Sequence, residues 1–271
     1  MVVTVEVEVA WPRPLVPVRL VRRVNRFAVE AVLDGNAAAG DDGAASGLLR
    51  LHLPNSGRMG ELLVPGTPGR ARLWPGQPGH SDGLGPADRP DAPDRPARRT
   101  HGELLLVHYA GRWVSVDARM PNRLFEACLA ARALPAWARA VGWQREVRWG
   151  HGRIDFRVDM PAPEPPWLVE AKSCNLVEDG VALFPDAPTQ RGARHLRDLA
   201  AAVAAGEHRA AVVWFVQRDD AQRLEPHRRA DPEFARALAE AVAAGVEAHA
   251  YRCLVTEDEI RVLDAIPVVA G

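Results

Sequence analysis

RIDFRVDM-PAPEPP-WLVEAKSC, Arg153 to Cys174, is the stretch around which the chain can be built. Two runs of alternating apolar and polar residues flank a break rich in proline and glutamate, the pattern of a β-hairpin. A six-residue loop, Pro161 to Pro166, sets Met160 against Trp167. That register places Asp155 opposite Lys172 and diagonally beside Glu170, because side chains on one face recur every second residue. Arg153 and Arg157 share this face, while Ile154, Phe156, Val158, Val169 and Ala171 fill the other. One side of the ribbon is core, and the other carries two carboxylates and a lysine.

Two carboxylates held close together repel unless a cation lies between them. Mg²⁺, or Mn²⁺ in its place, favours one or two carboxylates completed by waters and phosphate oxygens. A lysine on the same face is placed to orient an attacking water or to stabilise charge on a phosphate. Asp155, Glu170 and Lys172 therefore have the parts for metal-dependent phosphodiester hydrolysis. The same three residues also fit a cross-strand ion pair between Asp155 and Lys172, worth about 0.2–1 kcal/mol. Spacing alone leaves both readings standing.

Downstream, Glu178-Asp179-Gly180 reads as a turn and Thr189 as a helix start. The helix carries Leu196, Leu199 and Val203 along one stripe and closes at Gly206. Arg191 and His195, four apart, share a neighbouring stripe, with Arg194 close by. AAVVWFV, Ala210 to Val216, is a near-continuous apolar run typical of a strand covered on both faces. Asp231-Pro232-Glu233 opens a second helix, and strands over Val246–Leu254 and Ile260–Val269 close the chain. Alternation of this kind predicts an α/β unit with a mixed sheet.

Upstream, a helix beginning at Pro121 presents Leu124, Phe125 and Cys128 on its apolar face and Glu126 away from it. Residues 1–75 read as short strands: Val2–Val9, Val18–Val24, Arg26–Leu33, Leu48–Leu53, Glu61–Val64 and Arg70–Trp74, the pattern of a small barrel. The segment Trp11 to Arg26 holds Arg13, Arg19, Arg22, Arg23 and Arg26 without an acidic residue. It is either a phosphate-neutralising patch or a strand edge guarded by charge. The loop Asn36 to Gly47 and the polar stretch Pro75 to Thr100 read as a surface insertion and a linker. The expected architecture is α+β with two domains, a β-barrel over 1–85 and an α/β domain over 86–271.

The whole chain of 271 residues has a net charge of -1, so any nucleic-acid site must be a local patch. Three widely spaced cysteines fit neither a disulfide framework nor a paired-cysteine zinc site and point to a reducing compartment. The N-terminus alternates with glutamates and does not read as a signal peptide, and no stretch reads as a membrane span. The expected location is the cytoplasm, with no membrane partner. No glycine-rich phosphate loop, nucleophile elbow or paired-carboxylate glycosidase site is apparent.

Asp155 … Glu170-Ala171-Lys172 resembles the PD-(D/E)xK nuclease superfamily, a short and loose motif. Longer stretches are similar to one family in the same order. They are Leu53-Pro54-Asn55-Ser56-Gly57-Arg58-Met59, Pro121-Asn122-Arg123-Leu124, Arg153-Ile154-Asp155-Phe156, Glu170 to Ser173, and Phe184-Pro185-Asp186-Ala187-Pro188-Thr189-Gln190-Arg191-Gly192-Ala193-Arg194-His195-Leu196. Together they resemble the sugar fermentation stimulation protein (SfsA) family. The resemblance implies an N-terminal OB-like barrel and a nuclease-like domain. It further implies DNA binding without strong sequence specificity, and a regulatory role in sugar (maltose) metabolism. Asp155 and Glu170 would then be metal ligands, with Glu126 as a third acid and Lys172 as the catalytic lysine. Thr189, Arg191, Arg194 and His195 would contact phosphate; Arg19, Arg22, Arg23 and Arg26 are candidate DNA contacts on their charge alone. Here Arg194 stands where the family usually carries a lysine before the histidine. The resemblance leaves open whether the chain cuts DNA or only binds it, on which strand state, and in what oligomeric form.

Overall fold

The computed structural model describes residues 4–34, 47–76, 99–150 and 152–271. The chain divides into two units, Trp11–Asp117 and Met1–Ala10 with Ala118–Gly271. All but Gly47 of the expected loop, Asn36 to Gly47, and residues 77–98 of the expected linker, Pro75 to Thr100, lie outside the described residues.

The first strand, β1 (Thr4–Ala10), belongs to the second unit. The other unit is a barrel of β2 (Val16–Asn25), β3 (Ala28–Leu33), β4 (Leu48–His52), β5 (Pro68–Leu73) and β6 (Gly102–Tyr109). The strands run in the order β4-β3-β2-β5-β6, and parallel pairing of β4 with β6 closes the ring of five. A short β7 (Arg112–Ser115) pairs with β6. Alternation puts Val18, Leu20, Val29, Ala31, Leu49 and Leu51 inside. Closure needs a glycine at the seam, because a Cβ on Gly102 would lie 2.3 Å from the Arg72 carbonyl oxygen. The strand expected over Glu61–Val64 is instead a tight turn, with the Leu62 and Leu63 amides both donating to the Met59 carbonyl. Leu62 and Leu63 are both buried.

This corrects the expected domain boundary at 85/86. β6, Gly102–Tyr109, pairs with β4 and β5 and completes the barrel, so the unit ends at Asp117.

In the second unit follow α1 (Met120–Ala130), a 3₁₀ turn (Pro135–Trp137), β8 (Gly142–Trp149), β9 (Gly152–Asp159) and β10 (Trp167–Cys174). Then come β11 (Val177–Glu178), β12 (Val181–Phe184), α2 (Gln190–Ala204), β13 (Arg209–Val216) and β14 (Arg223–Pro226). The chain closes with α3 (Pro232–Ala243), β15 (Glu247–Val255) and β16 (Glu259–Ile266). The main sheet runs β1-β16-β15-β13-β10-β9-β8. Its centre, β10-β13-β15, is parallel and its flanks are antiparallel, the mixed α/β sheet expected.

Both faces are covered. Leu168, Val212 and Trp214 pack in one cluster with Leu196 and Leu199 of α2 and Phe234 and Leu238 of α3. On the other, Phe125 of α1 meets Phe156 edge-on at 5.0 Å and Trp137 meets Trp167 at 5.4 Å. Asp231 ties the two helix starts together. Its Oδ1 accepts from the Phe234 amide at 2.9 Å and its Oδ2 from the Thr189 amide at 2.7 Å. Thr189 in turn caps α2 by accepting from the Gly192 amide at 3.0 Å. Among the described residues no helix is long and apolar enough to cross a membrane.

Candidate functional site

The hairpin forms, with its register two residues away from the one its loop length predicts. Trp167 pairs with Val158, Leu168 with Arg157 and Val169 with Phe156. The next position sets Asp155 against Glu170 rather than against Lys172. Prolines at 161, 163, 165 and 166 donate no ladder hydrogen bonds, so the loop between the paired positions takes in Asp159 and Met160 as well. A slip of two keeps every side chain on its face, and the cluster survives it.

Beyond Val169 the paired ladder stops. There the Asp155 side chain stands in for a backbone acceptor, its Oδ2 accepting from the Ala171 amide at 2.9 Å. Its Oδ1 accepts from the Asn122 side-chain amide of α1 at 3.2 Å. Burial raises the Asp155 carboxyl above its ordinary value, and the like charge of Glu170 raises it further. Lys172, the Ala171 amide and Asn122 pull the other way.

Glu170 is 4% exposed at its side chain. Its Oε1 accepts from both Lys172 Nζ and His195 Nδ1. Its Oε2 is buried without a hydrogen-bond partner. Burial opposes its ionisation, but Lys172 and His195 outweigh that and hold the carboxyl at about 2. Arg191 Nε donates to His195 Nε2 at 3.3 Å, which leaves the imidazole proton on Nδ1, facing Glu170. Helical spacing of four residues makes this Arg191–His195–Glu170 line possible.

A cavity of about 570 Å³ adjoins this cluster, lined by Glu146, Arg148, Gly150, Gly152, Arg153, Arg191, Arg194 and His195. Arg191, Arg194 and His195, read from the sequence as phosphate contacts, thus come together beside the hairpin.

Other expected site residues lie elsewhere. Glu126 does not join the acidic pair. It accepts from Trp143 Nε1 at 3.2 Å and from Arg145 at 3.0 Å, and Asn122, one turn earlier on α1, reaches Asp155 instead. Among the described residues no three His, Cys, Asp or Glu side chains gather as a metal site. In the barrel, acids from neighbouring segments offset the basic stretch. Arg19 pairs with Asp34 at 3.1 Å and Arg22 with Glu30 at 2.6 Å. Arg23 grips the carbonyls of Gly57 and Arg58 and so holds the Pro54–Met59 loop in place. Arg26 is exposed on the β2–β3 turn beside the exposed Phe27.

Asn122, Arg148 and Glu146 were not singled out from the sequence. The one signal for Asn122 was its place in the Pro121–Leu124 motif, four residues before Glu126.

Comparison with known proteins fits this architecture part by part. Residues 21–116 match the family described as SfsA N-terminal OB domain, and residues 119–259 match Sugar fermentation stimulation protein RE domain. The chain belongs to the SfsA family. A sugar fermentation stimulation protein homolog from Alkaliphilus metalliredigens is 37% identical over 91% of this chain and 93% of that one. Another, from Moorella thermoacetica, is 40% identical over 90% and 92%. The structure of Pyrococcus furiosus SfsA in complex with Ca²⁺ superposes with a TM-score of 0.77 at 26% identity, covering 95% of this chain and 97% of that one. The family boundary between 116 and 119 agrees with the unit boundary at Asp117.

Proposed function

We propose that this SfsA-family chain binds DNA and hydrolyses its phosphodiester bonds with a divalent cation, Mg²⁺ or Mn²⁺, held by Asp155 and Glu170. The observation that carries the reading is the buried, unpartnered Oε2 of Glu170, on a carboxylate set against Asp155 and beside an arginine-lined cavity. A buried acceptor with no donor is costly unless something binds it. Two carboxylates whose charges oppose each other suit a hard cation completed by water and phosphate oxygens. The donor set therefore fits such an ion. That the Pyrococcus furiosus relative is a complex with Ca²⁺, another hard divalent ion, supports the choice. The sequence resemblance to PD-(D/E)xK nucleases points the same way.

When bound, the cation would supply neutralisation of phosphate charge and a more acidic water. The chain's own residues do the remaining work. Asn122 and the Ala171 amide fix Asp155, and His195 fixes Glu170. Lys172 would orient a water or meet charge developing on the phosphate. Three free, buried cysteines suit the reducing cytoplasm.

The test is incubation of the purified protein with plasmid and single-stranded DNA, in Mg²⁺ or in EDTA. Metal-dependent cleavage that disappears in Asp155→Ala and in Lys172→Ala is expected. Cleavage by both variants at the wild-type rate overturns the reading. One observation favours a second reading, a DNA-binding regulator of sugar metabolism that does not cut. The ammonium of Lys172 is already engaged by Glu170. Salt-sensitive binding without cleavage would favour that reading.

A further inference from the structure

The β8–β9 hairpin places Arg148 directly across from Arg153. Like charges directly opposite on antiparallel strands destabilise a sheet, so the fold tolerates a cost here. Both side chains line the cavity beside His195. From the other wall, Arg191 and Arg194 of α2 face the same space, and the first turn of α2 holds no acidic residue to offset its dipole. Among the described residues lining the cavity, Glu146 is the one acid, and it stands 4.0 Å from Arg153. Four guanidinium groups against one carboxylate, in a chain of net charge -1, make a local site for an anion. Guanidinium forks match phosphate oxygens in pairs. The volume lies within the range of sites that take a nucleotide-sized group.

We infer that this cavity is a subsite for the DNA backbone, in which Arg148 and Arg153 on one wall and Arg191 and Arg194 on the other hold the phosphate neighbouring the one that meets Asp155 and Glu170. The inference rests on the proposed function and extends it to a named clamp. Arg148 and Arg153 belong to the β8–β9 hairpin and are not among the groups that shift the Asp155 or Glu170 carboxyl. Removing them therefore separates DNA grip from metal binding.

The experiment measures binding of a short labelled duplex by full-length protein in EDTA, by fluorescence anisotropy across a salt series. Arg148→Ala/Arg153→Ala is expected to weaken binding about tenfold or more near 0.1 M salt and to lower the salt slope by about 2. Its Mn²⁺ affinity should match wild type, and its melting temperature should not fall, since a repelling pair is removed. Arg228→Ala/Arg229→Ala, an exposed pair elsewhere, should bind DNA as wild type does. Should the double variant misfold, Arg153→Gln and Arg194→Gln singly are each expected to lower the slope by about 1. Wild-type affinity and slope in the cavity variants overturn the subsite, as does an equal loss in the control pair. A rise of wild-type melting temperature in inorganic phosphate, with DNA affinity unmoved by the variants, would assign the cavity to free phosphate and also overturn it. If wild type cleaves plasmid while the cavity variants bind normally, the subsite falls and the proposed function stands. If wild type neither binds nor cleaves, both fall.

Discussion

Glu170 concentrates the chemistry of the site in one side chain. One oxygen carries two donors and the other carries none. Its carboxyl sits at about 2 against an ordinary 4.5, so its ionised form is bound more tightly in the folded chain than in the unfolded one. The stability this contributes is fully present above about pH 4.5 and is lost as pH falls toward 2. Asp155 acts in the opposite sense, because its raised carboxyl favours the folded state when protonated. Urea unfolding at pH 7 and pH 3 should show wild type losing about 2 kcal/mol more than Glu170→Gln across that interval, the rest being lost only below pH 3. Asn122→Ala removes one of the hydrogen bonds that lower the Asp155 carboxyl. Mn²⁺ titration calorimetry against pH should then show the onset of binding shifted upward. At this scale the sharing of one face by Asp155, Glu170 and Lys172 was legible, because strand side chains recur with a period of two; the seating of His195 on Glu170 was not, since 25 residues separate them. The failure of Glu126 was not legible. Its partners Trp143 and Arg145 lie 17 and 19 residues away on β8, and nothing local announces them.

Among the elements, α2 matters most to the site, since it carries Arg191, Arg194 and His195. Its start is held through Asp231, which also starts α3 and is 5% exposed. Asp231→Ala leaves the Thr189 and Phe234 amides without their acceptor. The expected loss is about 2–4 kcal/mol in denaturant unfolding, from a lost cap and a second lost charged hydrogen bond. Both helices were readable from Thr189, Gly206 and Asp231-Pro232, where capping chemistry is local. The hairpin register was not, because four prolines in the loop fix where pairing resumes and loop length alone does not. The short β11, β12 and β14 also went unread. At two to four residues they are too brief to show a period.

For the whole molecule, one unit is built from two separate runs of sequence. β1 is the edge of the main sheet, paired with β16 at the far end of the chain, although it adjoins the barrel in sequence. The alternation of Val2–Val9 predicted a strand and counted it with the barrel; it joins the sheet of the other unit instead, because its partner β16 lies far away in sequence. The same limit displaced the domain boundary, since the barrel closes only when β6 returns to β4. Gly102 sits at that seam, and Gly102→Ala forces a Cβ against the Arg72 carbonyl. Thermal unfolding should show the barrel unit destabilised by roughly 1–3 kcal/mol. Mn²⁺ affinity should stay within about twofold, because Asp155, Glu170, Lys172 and His195 all lie in the other unit. The central claim is that Asp155 and Glu170 hold a divalent cation. An anomalous-difference map from a crystal soaked in Mn²⁺ tests it most directly. A peak shared by Asp155 and Glu170 Oε2 is predicted; full-occupancy side chains with no peak, and Lys172 and His195 still seated on Glu170, would contradict it.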